Sequence, residues 1–391
     1  MSRLASDPQA SKGRLQREAA SATRSVFQRD RDRIVHSSAF RRLAHKTQVF
    51  VHHEGDHFRT RLTHTIEVAQ LARALARPFG LDADLAEAIA LGHDLGHTPF
   101  GHAGEDALDA CLAGQGGFDH NSHGLKIVTE LERHYADFDG LNLVWETLEG
   151  LVKHNGPLLE ANGAPAARWR ARGIPEPILA FDRRWPLALG QWPSLEAQAA
   201  ALADDIAYNA HDIDDGLRAG LFTLDALRAV PWLAERVAEI ETRHPGLEEG
   251  RKIHELSRRV ITRFVEDALT ETAARLKGDS IATGEDARCA ERTMVAFSAE
   301  MAQAERDIKA FLFQRMYRHP QVNQMRADAD RIVRALFGAY AERPQEATAF
   351  WRARGERVGL EQAAAEYVAG MTDRFALGEY RRLFDPLARL G

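Results

Sequence analysis

Apolar residues recur along most of this chain every three or four positions, the spacing that places them on one face of a helix. One such segment runs from Arg59 to Leu75 and is stopped by Pro78 and Gly80; its apolar positions are Ile66, Ala69, Leu71, Ala72 and Leu75. Amphipathic segments divided by Pro and Gly continue from about Pro231 to Gly391. The sequence contains no alternating run rich in Val, Ile and Thr of the kind that predicts a strand. The pattern therefore predicts an all-α fold.

A dense group of chemically active residues follows a buried helix in the first third of the chain. Asp84 to Leu91 has the Ala and Leu content of a mostly buried helix, and it is followed by Gly92-His93-Asp94-Leu95-Gly96-His97-Thr98-Pro99-Phe100-Gly101-His102. Three imidazoles and a carboxylate in so short a stretch can bind a metal ion or carry protons. We expect His93 and His97 to share one helix face, because they are four residues apart. The alternative is a set of buried histidines that are satisfied by backbone partners.

The Thr98–Gly101 segment breaks this helix before a second one, which is predicted from His102 to about Leu112. Glu105 lies one turn after His102 on the same side of that helix, where its carboxylate can hydrogen-bond the imidazole. A glycine-rich loop then leads to His120.

A third candidate segment is an acidic helix that begins near Glu196. Asp204, Tyr208 and Asp212 are four residues apart and line one of its faces, whereas Asp205 is expected to point elsewhere. Acids in the last part of a helix oppose its dipole, and the surrounding Ala and Ile residues indicate burial. A buried acidic face needs a cation.

Composition limits the class of protein. The chain has 391 residues, of which 45% are hydrophobic and 28% are charged, and a net charge of -6 gives no overall attraction to nucleic acid or membrane. It has no uninterrupted apolar stretch long enough to span a bilayer, and its first residues do not form a secretory signal. Cys111 and Cys289 make no disulfide framework and match no thiolate zinc spacing. We therefore expect a cytoplasmic protein without a membrane partner.

Changes in composition divide the chain into segments. Residues 1–29 are expected to be a flexible basic arm, residues 30–230 a catalytic domain, and residues 231–391 a C-terminal helical region. Within the second segment, residues 156–193 are rich in Pro, Gly, Trp and Arg and should be an ordered lid or a disordered flap. Residues 52–57 contain His52, His53 and His57 and are predicted as a loop, with these histidines as surface residues rather than ligands.

Arginines are concentrated between Lys12 and Lys46. This basic segment is either a solvated helix face or a surface for the phosphates of a nucleotide or of a nucleic acid strand.

The order of His64, His93-Asp94 and Asp204 resembles the H…HD…D pattern of the HD-domain phosphohydrolase superfamily. Three stretches, residues 61–64, 92–102 and 204–217, resemble more specifically the deoxyguanosinetriphosphate triphosphohydrolase-like family. Residues 311–320 are similar to the C-terminal helical region of that family. This resemblance implies an all-α HD-domain core with an additional C-terminal helical region.

The resemblance also implies a metal site and a reaction. His64, His93, Asp94 and Asp204 would bind a divalent ion, and this ligand set suits Mn, Mg, Fe, Ni or Zn without distinguishing among them. Asp204 is chosen over Asp205 because it is in phase with Tyr208 and Asp212. The family reaction is hydrolysis of a deoxynucleoside triphosphate at the α-phosphorus, which yields a deoxynucleoside and inorganic triphosphate.

Further roles follow by position from the same resemblance. They are His102 as the catalytic histidine, Glu105 as its partner carboxylate, His97 and His120 as further active-site histidines, Arg61 at the α-phosphate, and Gln48, Tyr208 and Asp212 at the deoxyribose. Two positions depart from vertebrate relatives: Asp205 stands where they have a triphosphate-binding Lys, and Asn121 stands where they have an acid. Triphosphate contacts must then come from elsewhere, and the candidates are Arg42, Lys46, Lys309 and Arg315.

The partners implied by the resemblance are a deoxynucleoside triphosphate substrate, a nucleotide effector and further copies of the chain in a tetramer or hexamer; the basic segment adds single-stranded nucleic acid. Two other functions stay open at this point. One is an HD phosphohydrolase acting on a nucleoside monophosphate, a cyclic nucleotide or an alarmone. The other is a regulator without catalysis that binds a nucleotide or a nucleic acid.

Overall fold

The computed structural model describes residues 2–48 and 59–390, so the segment with His52, His53 and His57 lies outside the described residues. In these two ranges the backbone forms helices and isolated β-bridges without a β-strand, which confirms the predicted all-α class. The helices are α1 (Val26–His36), α2 (Ser38–Arg42), α3 (Arg61–Ala76), α4 (Ala83–Gly92), α5 (His102–Cys111), α6 (His120–Lys126), α7 (Trp145–Lys153), α8 (Glu176–Arg184), α9 (Leu195–Arg218), α10 (Pro231–Arg243), α11 (Glu249–Gly278), α12 (Gly284–Arg288), α13 (Ala299–Leu312), α14 (Pro320–Glu342), α15 (Ala349–Val358), α16 (Leu360–Ala369) and α17 (Asp373–Leu383). None of those helices has both the length and the hydrophobicity that crossing a bilayer requires.

The helices that carry the predicted ligands begin and end where the sequence has capping residues. The side chains of Thr60, Asp82 and Ser194 accept backbone hydrogen bonds at the starts of α3, α4 and α9. Helix α3 ends at Ala76, and Gly80 then takes a left-handed conformation with φ +63°. These local signals explain why the predicted starts of the three helices agree closely with the structure.

Helices α3, α4 and α9 pack on one another and form the centre of the first half of the molecule. Helix α9 presents small residues to this centre, and Ala203, Ala207 and Ala210 are almost fully buried. Small side chains let helix backbones come close together, which brings residues of α3 and α9 within hydrogen-bond distance. The site described below lies between these helices.

The C-terminal helices support the same region from the other side. Helices α14 and α16 pack on α5, and together with α17 they form a second hydrophobic cluster. The buried carboxylate of Asp373, at the start of α17, accepts hydrogen bonds from the backbone N–H groups of Thr47 and Phe100 at 2.8 Å each. The C-terminal region therefore holds two loops of the candidate site in place.

The N-terminal segment differs from the flexible arm that was predicted. Ser6 donates to the buried carboxylate of Glu196, Ser11 donates to that of Glu146 at 2.7 Å, and Arg14 forms an ion pair with the buried Asp30. Buried carboxylates need partners, and this segment supplies them. Composition alone could not reveal these contacts, because the acceptors lie more than a hundred residues away along the chain for two of the three donors.

Residues 156–193 make backbone and side-chain contacts along their length, while their predicted role as a lid stays a prediction. The segment includes α8, buries Trp169 and pairs the backbone of Leu158 with that of Leu189 at 2.8 Å. The Lys153 ammonium donates to the carbonyl oxygens of Ala188 and Gln191 at 2.8 and 3.1 Å. Backbone hydrogen bonds and the buried Lys153 ammonium thus stabilise a segment that has no amphipathic helical pattern.

Candidate active site

The loop between α4 and α5 positions most of the candidate residues. Helix α4 ends at Gly92, so the prediction that His93 and His97 share a helix face is wrong. His93 closes the helix by donating from Nδ1 to the Ala90 carbonyl at 2.6 Å, and the chain then turns away. The two histidines consequently face different neighbours: His93 lies beside His64, and the His97 ring stacks on the His120 ring with 4.1 Å between their centroids.

Gly96 allows this loop to lie directly against α6. A Cβ atom at this position would be 1.9 Å from the His120 carbonyl oxygen and 2.4 Å from the Gly124 nitrogen. Both contacts are with backbone atoms, which cannot move aside as the end of a side chain can. The close approach sets the distance between His97 and His120.

The four predicted metal ligands come together. The candidate ligand atoms of His64, His93 and Asp94 all lie within 4.8 Å of one another. Asp204 Oδ1 is 2.9 Å from His64 Nε2 and 3.5 Å from His93 Nε2. The His64 and Asp94 side chains are almost completely buried, whereas that of Asp204 is 37% exposed and opens toward a cleft.

This group fits a divalent metal ion. His93 Nε2 is buried without a hydrogen-bond partner, and its nearest carboxylate oxygens, on Asp94 and Asp204, are both 3.5 Å away. A buried nitrogen without a partner is costly unless it binds something. Because Nδ1 of the same ring already donates to a carbonyl, Nε2 is the nitrogen that would bind a metal ion, which would displace the proton from it.

The electrostatics favour positive charge at this point. Burial alone would raise the pKa values of Asp94 and Asp204, but His93, together with Arg61 beside Asp94, outweighs it and holds both pKa values below the ordinary value. Burial opposes the charged form of His93, yet the two carboxylates raise its pKa to about 9. The carboxylates therefore stay ionised and attract a cation, as a metal site requires.

A second group, with residues from α5, α6 and the preceding loop, adjoins the first. Glu105 accepts from His102 Nδ1 at 3.0 Å with one oxygen and from His120 Nδ1 at 2.8 Å with the other. These partners outweigh burial and lower the pKa of Glu105. The His102 side chain is 61% exposed and lines the cleft, whereas His97 is buried. The ligand atoms of these four residues are also close enough to hold a cation.

One carboxylate joins the two groups. Asp94 Oδ1 lies 3.1 Å from His97 Nε2 and 3.5 Å from His93 Nε2, while Oδ2 accepts from Arg61 at 2.9 Å. Arg61 is 2% exposed, so the structure places it against a predicted metal ligand. Its predicted role at an α-phosphate stays a prediction.

The cleft beside these groups has a volume of about 600 Å³. Its floor includes Asp204 and His102, and Gln48 and Tyr208 lie on its wall. A further wall comes from α13, the π-helical turn Phe313–Tyr317 and α14; its residues are Lys309, Leu312, Phe313, Tyr317, Val322 and Arg326. A cleft of this size with mixed polar and apolar lining is typical of a small-molecule site.

Asp212 is not at the cleft surface but is connected to it. It is buried, and burial raises its pKa to about 8. The Tyr317 hydroxyl donates to Asp212 Oδ2 and also contacts the Tyr208 hydroxyl. Helical phase predicted that Tyr208 and Asp212 share a face, but it could not identify Tyr317, which comes from a distant helix. The only signal for Tyr317 is its place in the stretch 311–320.

Asp205 and three of the candidate cations need correction. Asp205 was expected to point away, yet it lines the cleft and pairs with Lys309 at 2.8 Å, because the exposed side of α9 is wide enough for both aspartates, Asp204 and Asp205.

The other candidate cations do not line the cleft. The Lys46 ammonium is buried and donates to the carbonyl oxygens of His97 and Ala369, so it stabilises the loop between α4 and α5. Neither Arg42 nor Arg315 lines the cleft. Arg326, which the sequence analysis missed, does.

Comparison with known proteins first defines the class. The model of the HD domain matches residues 61–209, which contain the four candidate ligands, and the model of the phosphohydrolase-associated domain matches residues 295–382. The chain therefore contains an HD domain followed by a phosphohydrolase-associated domain.

Full-length relatives then define the family. The deoxyguanosinetriphosphate triphosphohydrolase-like protein of Nitrobacter hamburgensis is 56% identical over 99% of this chain and 97% of its own length. Those of Azorhizobium caulinodans and Brucella suis are 55% and 58% identical, over 99% and 97% of this chain and 97% and 94% of their own lengths. The chain belongs to this family, which confirms the resemblance found in the sequence.

Substitution of Gly96 tests the contact between the loop and α6. Gly96→Ala should lower the free energy of unfolding by about 1–3 kcal/mol, because the added methyl group overlaps backbone atoms. Gly114→Ala is the control, since a Cβ there meets nothing within 4 Å and the change should stay within about 0.5 kcal/mol. Urea denaturation measures both variants, and equal stabilities would contradict the close approach.

Proposed function

We propose that this chain is a metal-dependent deoxynucleoside triphosphate triphosphohydrolase, in which water attacks the α-phosphorus and a deoxynucleoside and inorganic triphosphate are released. One observation carries the proposal: a group that fits a metal ion and a group of histidines that can carry protons share the buried Asp94, and the two groups reach one cleft through Asp204 and His102. The names of the relatives support the substrate class.

His64, His93, Asp94 and Asp204 would hold the metal ion. When bound, a divalent cation supplies Lewis acidity, which withdraws electron density from a phosphate oxygen and makes water a better nucleophile. The ligand set does not choose among Mn, Mg, Fe, Ni and Zn. The exposed side of Asp204 gives the site its opening to the cleft.

His102 is the proposed general acid. As the bond between water oxygen and phosphorus forms, the bond from phosphorus to the 5′-oxygen breaks, and the leaving oxygen needs a proton. His102 lines the cleft, and its Nδ1 is held by Glu105, so Nε2 is the nitrogen that can donate this proton. His120 shares the same carboxylate, and its stacking on His97 keeps the group in place.

The cleft wall provides groups for the sugar and the triphosphate. Gln48 Oε1 is buried without a partner and can accept a hydrogen bond from the 3′-hydroxyl, while Tyr208, backed by Tyr317 and Asp212, would exclude a 2′-hydroxyl. Lys309 and Arg326 are cations on this wall. Because Lys309 also neutralises Asp205, that carboxylate does not repel the triphosphate strongly, which accounts for an acid at this position.

A product analysis tests the proposed reaction. Each of the four deoxynucleoside triphosphates is incubated with protein loaded in turn with Mn, Mg, Fe, Ni or Zn, and the products are separated by ion-exchange chromatography. We expect inorganic triphosphate and deoxynucleoside in equal amounts, and no turnover with chelator or with Asp94→Ala. Pyrophosphate and a nucleoside monophosphate as products would show that the bond from the α-phosphorus to the 5′-oxygen stays intact, and would contradict the proposal. A lack of turnover with every metal would also contradict it.

Substitution of His102 tests the general acid. His102→Ala should lower kcat by about 10²-fold or more, since the leaving oxygen loses its proton donor, while the affinity for Mn²⁺ is unchanged. His244→Ala, at an exposed position after α10, serves as the control and should keep both values. Retained turnover in the first variant would remove His102 from the mechanism.

A further inference from the structure

A row of three side chains stands behind His64, on the side away from Asp204. His211 Nδ1 lies 3.1 Å from His64 Nδ1, and His211 Nε2 lies 2.6 Å from Glu67 Oε2. Arg59 Nε then donates to the same Glu67 oxygen at 3.2 Å. Neither the catalytic proposal nor the sequence analysis assigns a role to Glu67 or His211.

The two central helices build this row. Glu67 is one turn after His64 on α3, and His211 is seven residues after Asp204 on α9, so Asp204 and His211 lie on one face of α9, on opposite sides of the His64 ring. The rings of His64 and His211 are nearly perpendicular, with 5.3 Å between their centroids. Both histidines are at most 3% exposed, so water does not compete for these nitrogens.

The row has one arrangement of protons when His64 holds a metal ion. Burial raises the pKa of Glu67, but His211 and Arg59 outweigh it and lower that pKa to about 2, so the carboxylate only accepts hydrogen bonds. His211 must then carry its proton on Nε2, which leaves Nδ1 as an acceptor. His64 must carry its proton on Nδ1 to donate to that acceptor, and its Nε2 lone pair faces Asp204.

Arg59 ties the row to the end of α9. Its Nη1 donates to Asp214 at 2.7 Å and to Asp215 at 2.8 Å, while Nε holds Glu67. The Glu67 side chain is 44% exposed, and the contact with Arg59 limits its freedom to rotate into solvent. The position of the carboxylate is thereby fixed relative to both helices.

We propose that Glu67 and His211 are a positioning pair that fixes the tautomer and the ring orientation of His64, so that Nε2 is the nitrogen offered to the metal ion. The proposal rests on the metal site of the proposed function. Loss of such an outer partner of a ligating histidine typically weakens metal binding by roughly 10- to 100-fold. The pair touches neither substrate nor reacting atoms, and its effect passes through His64.

The first test measures the affinity for Mn²⁺ by isothermal titration calorimetry. His211→Ala should weaken binding roughly 10- to 100-fold, and His211→Asn should recover most of the loss, since the Asn oxygen can accept from His64 near the position of Nδ1. His123→Ala is the control: it removes another buried histidine, outside both groups of candidate ligands, and should keep the affinity. Circular dichroism confirms that each variant is folded.

The second test reads the tautomers directly by ¹⁵N nuclear magnetic resonance of histidine-labelled protein loaded with Zn²⁺, with signals assigned by the His64 and His211 variants. We expect a proton on Nδ1 of His64 and on Nε2 of His211. A proton on Nδ1 of His211, or wild-type Mn²⁺ affinity in a folded His211→Ala variant, would overturn the positioning pair and leave the metal site intact. Failure of the wild type to bind a metal ion, or normal binding by His64→Ala, would overturn the metal site itself and the pair with it.

Discussion

The rest of the site depends on the contacts that the ionised carboxylate of Asp94 makes with His93, His97 and Arg61. One oxygen faces His93 and His97, and the other accepts from Arg61. An almost fully buried charge is stable only with such partners. Removing Asp94 would leave the buried Arg61 without a counter-charge, and removing Arg61 would leave Asp94 without one. The contacts of Asp94 therefore fix the distance between the group that fits a metal ion and the group that carries protons.

The acids of α9 show how one helix can hold many carboxylates. Each has a partner from outside α9: Asp214 and Asp215 pair with Arg59, Asp205 pairs with Lys309, Asp212 accepts from Tyr317, and Asp204 faces imidazoles. Asp214 and Asp215 thus have the cation that was expected for a buried acidic face, whereas the partner of Asp212 is a neutral phenol. Asp204 is the member of this set whose imidazole neighbours can share a metal ion with it.

The sequence alone predicted what depends on local spacing and on motif. The helical class, the bounds of α3 and α5, and the convergence of His64, His93, Asp94 and Asp204 agree with the structure. The prediction that His93 and His97 share a helix face was wrong, because α4 ends at Gly92. His93 closes the helix there by donating from Nδ1 to the Ala90 carbonyl. The periodicity of Ala and Leu gives no information on where such a turn begins.

Apart from the metal-ligand motif, contacts between distant segments could not be predicted. Tyr317 reaches Asp212, and Glu196 anchors Ser6, across more than a hundred residues of chain. His211 was quoted within a motif, but only the packing of α3 on α9 shows that it faces His64. Such pairs depend on how helices cross, and a single sequence contains no direct signal for the crossing.

Anomalous diffraction from crystals grown with Mn²⁺ tests the central claim most directly, because it locates the metal ion without reference to activity. The account predicts one strong peak bound by His64, His93, Asp94 and Asp204. A peak among His97, His102, Glu105 and His120 instead, where the side chains are also close enough to hold a cation, would contradict it.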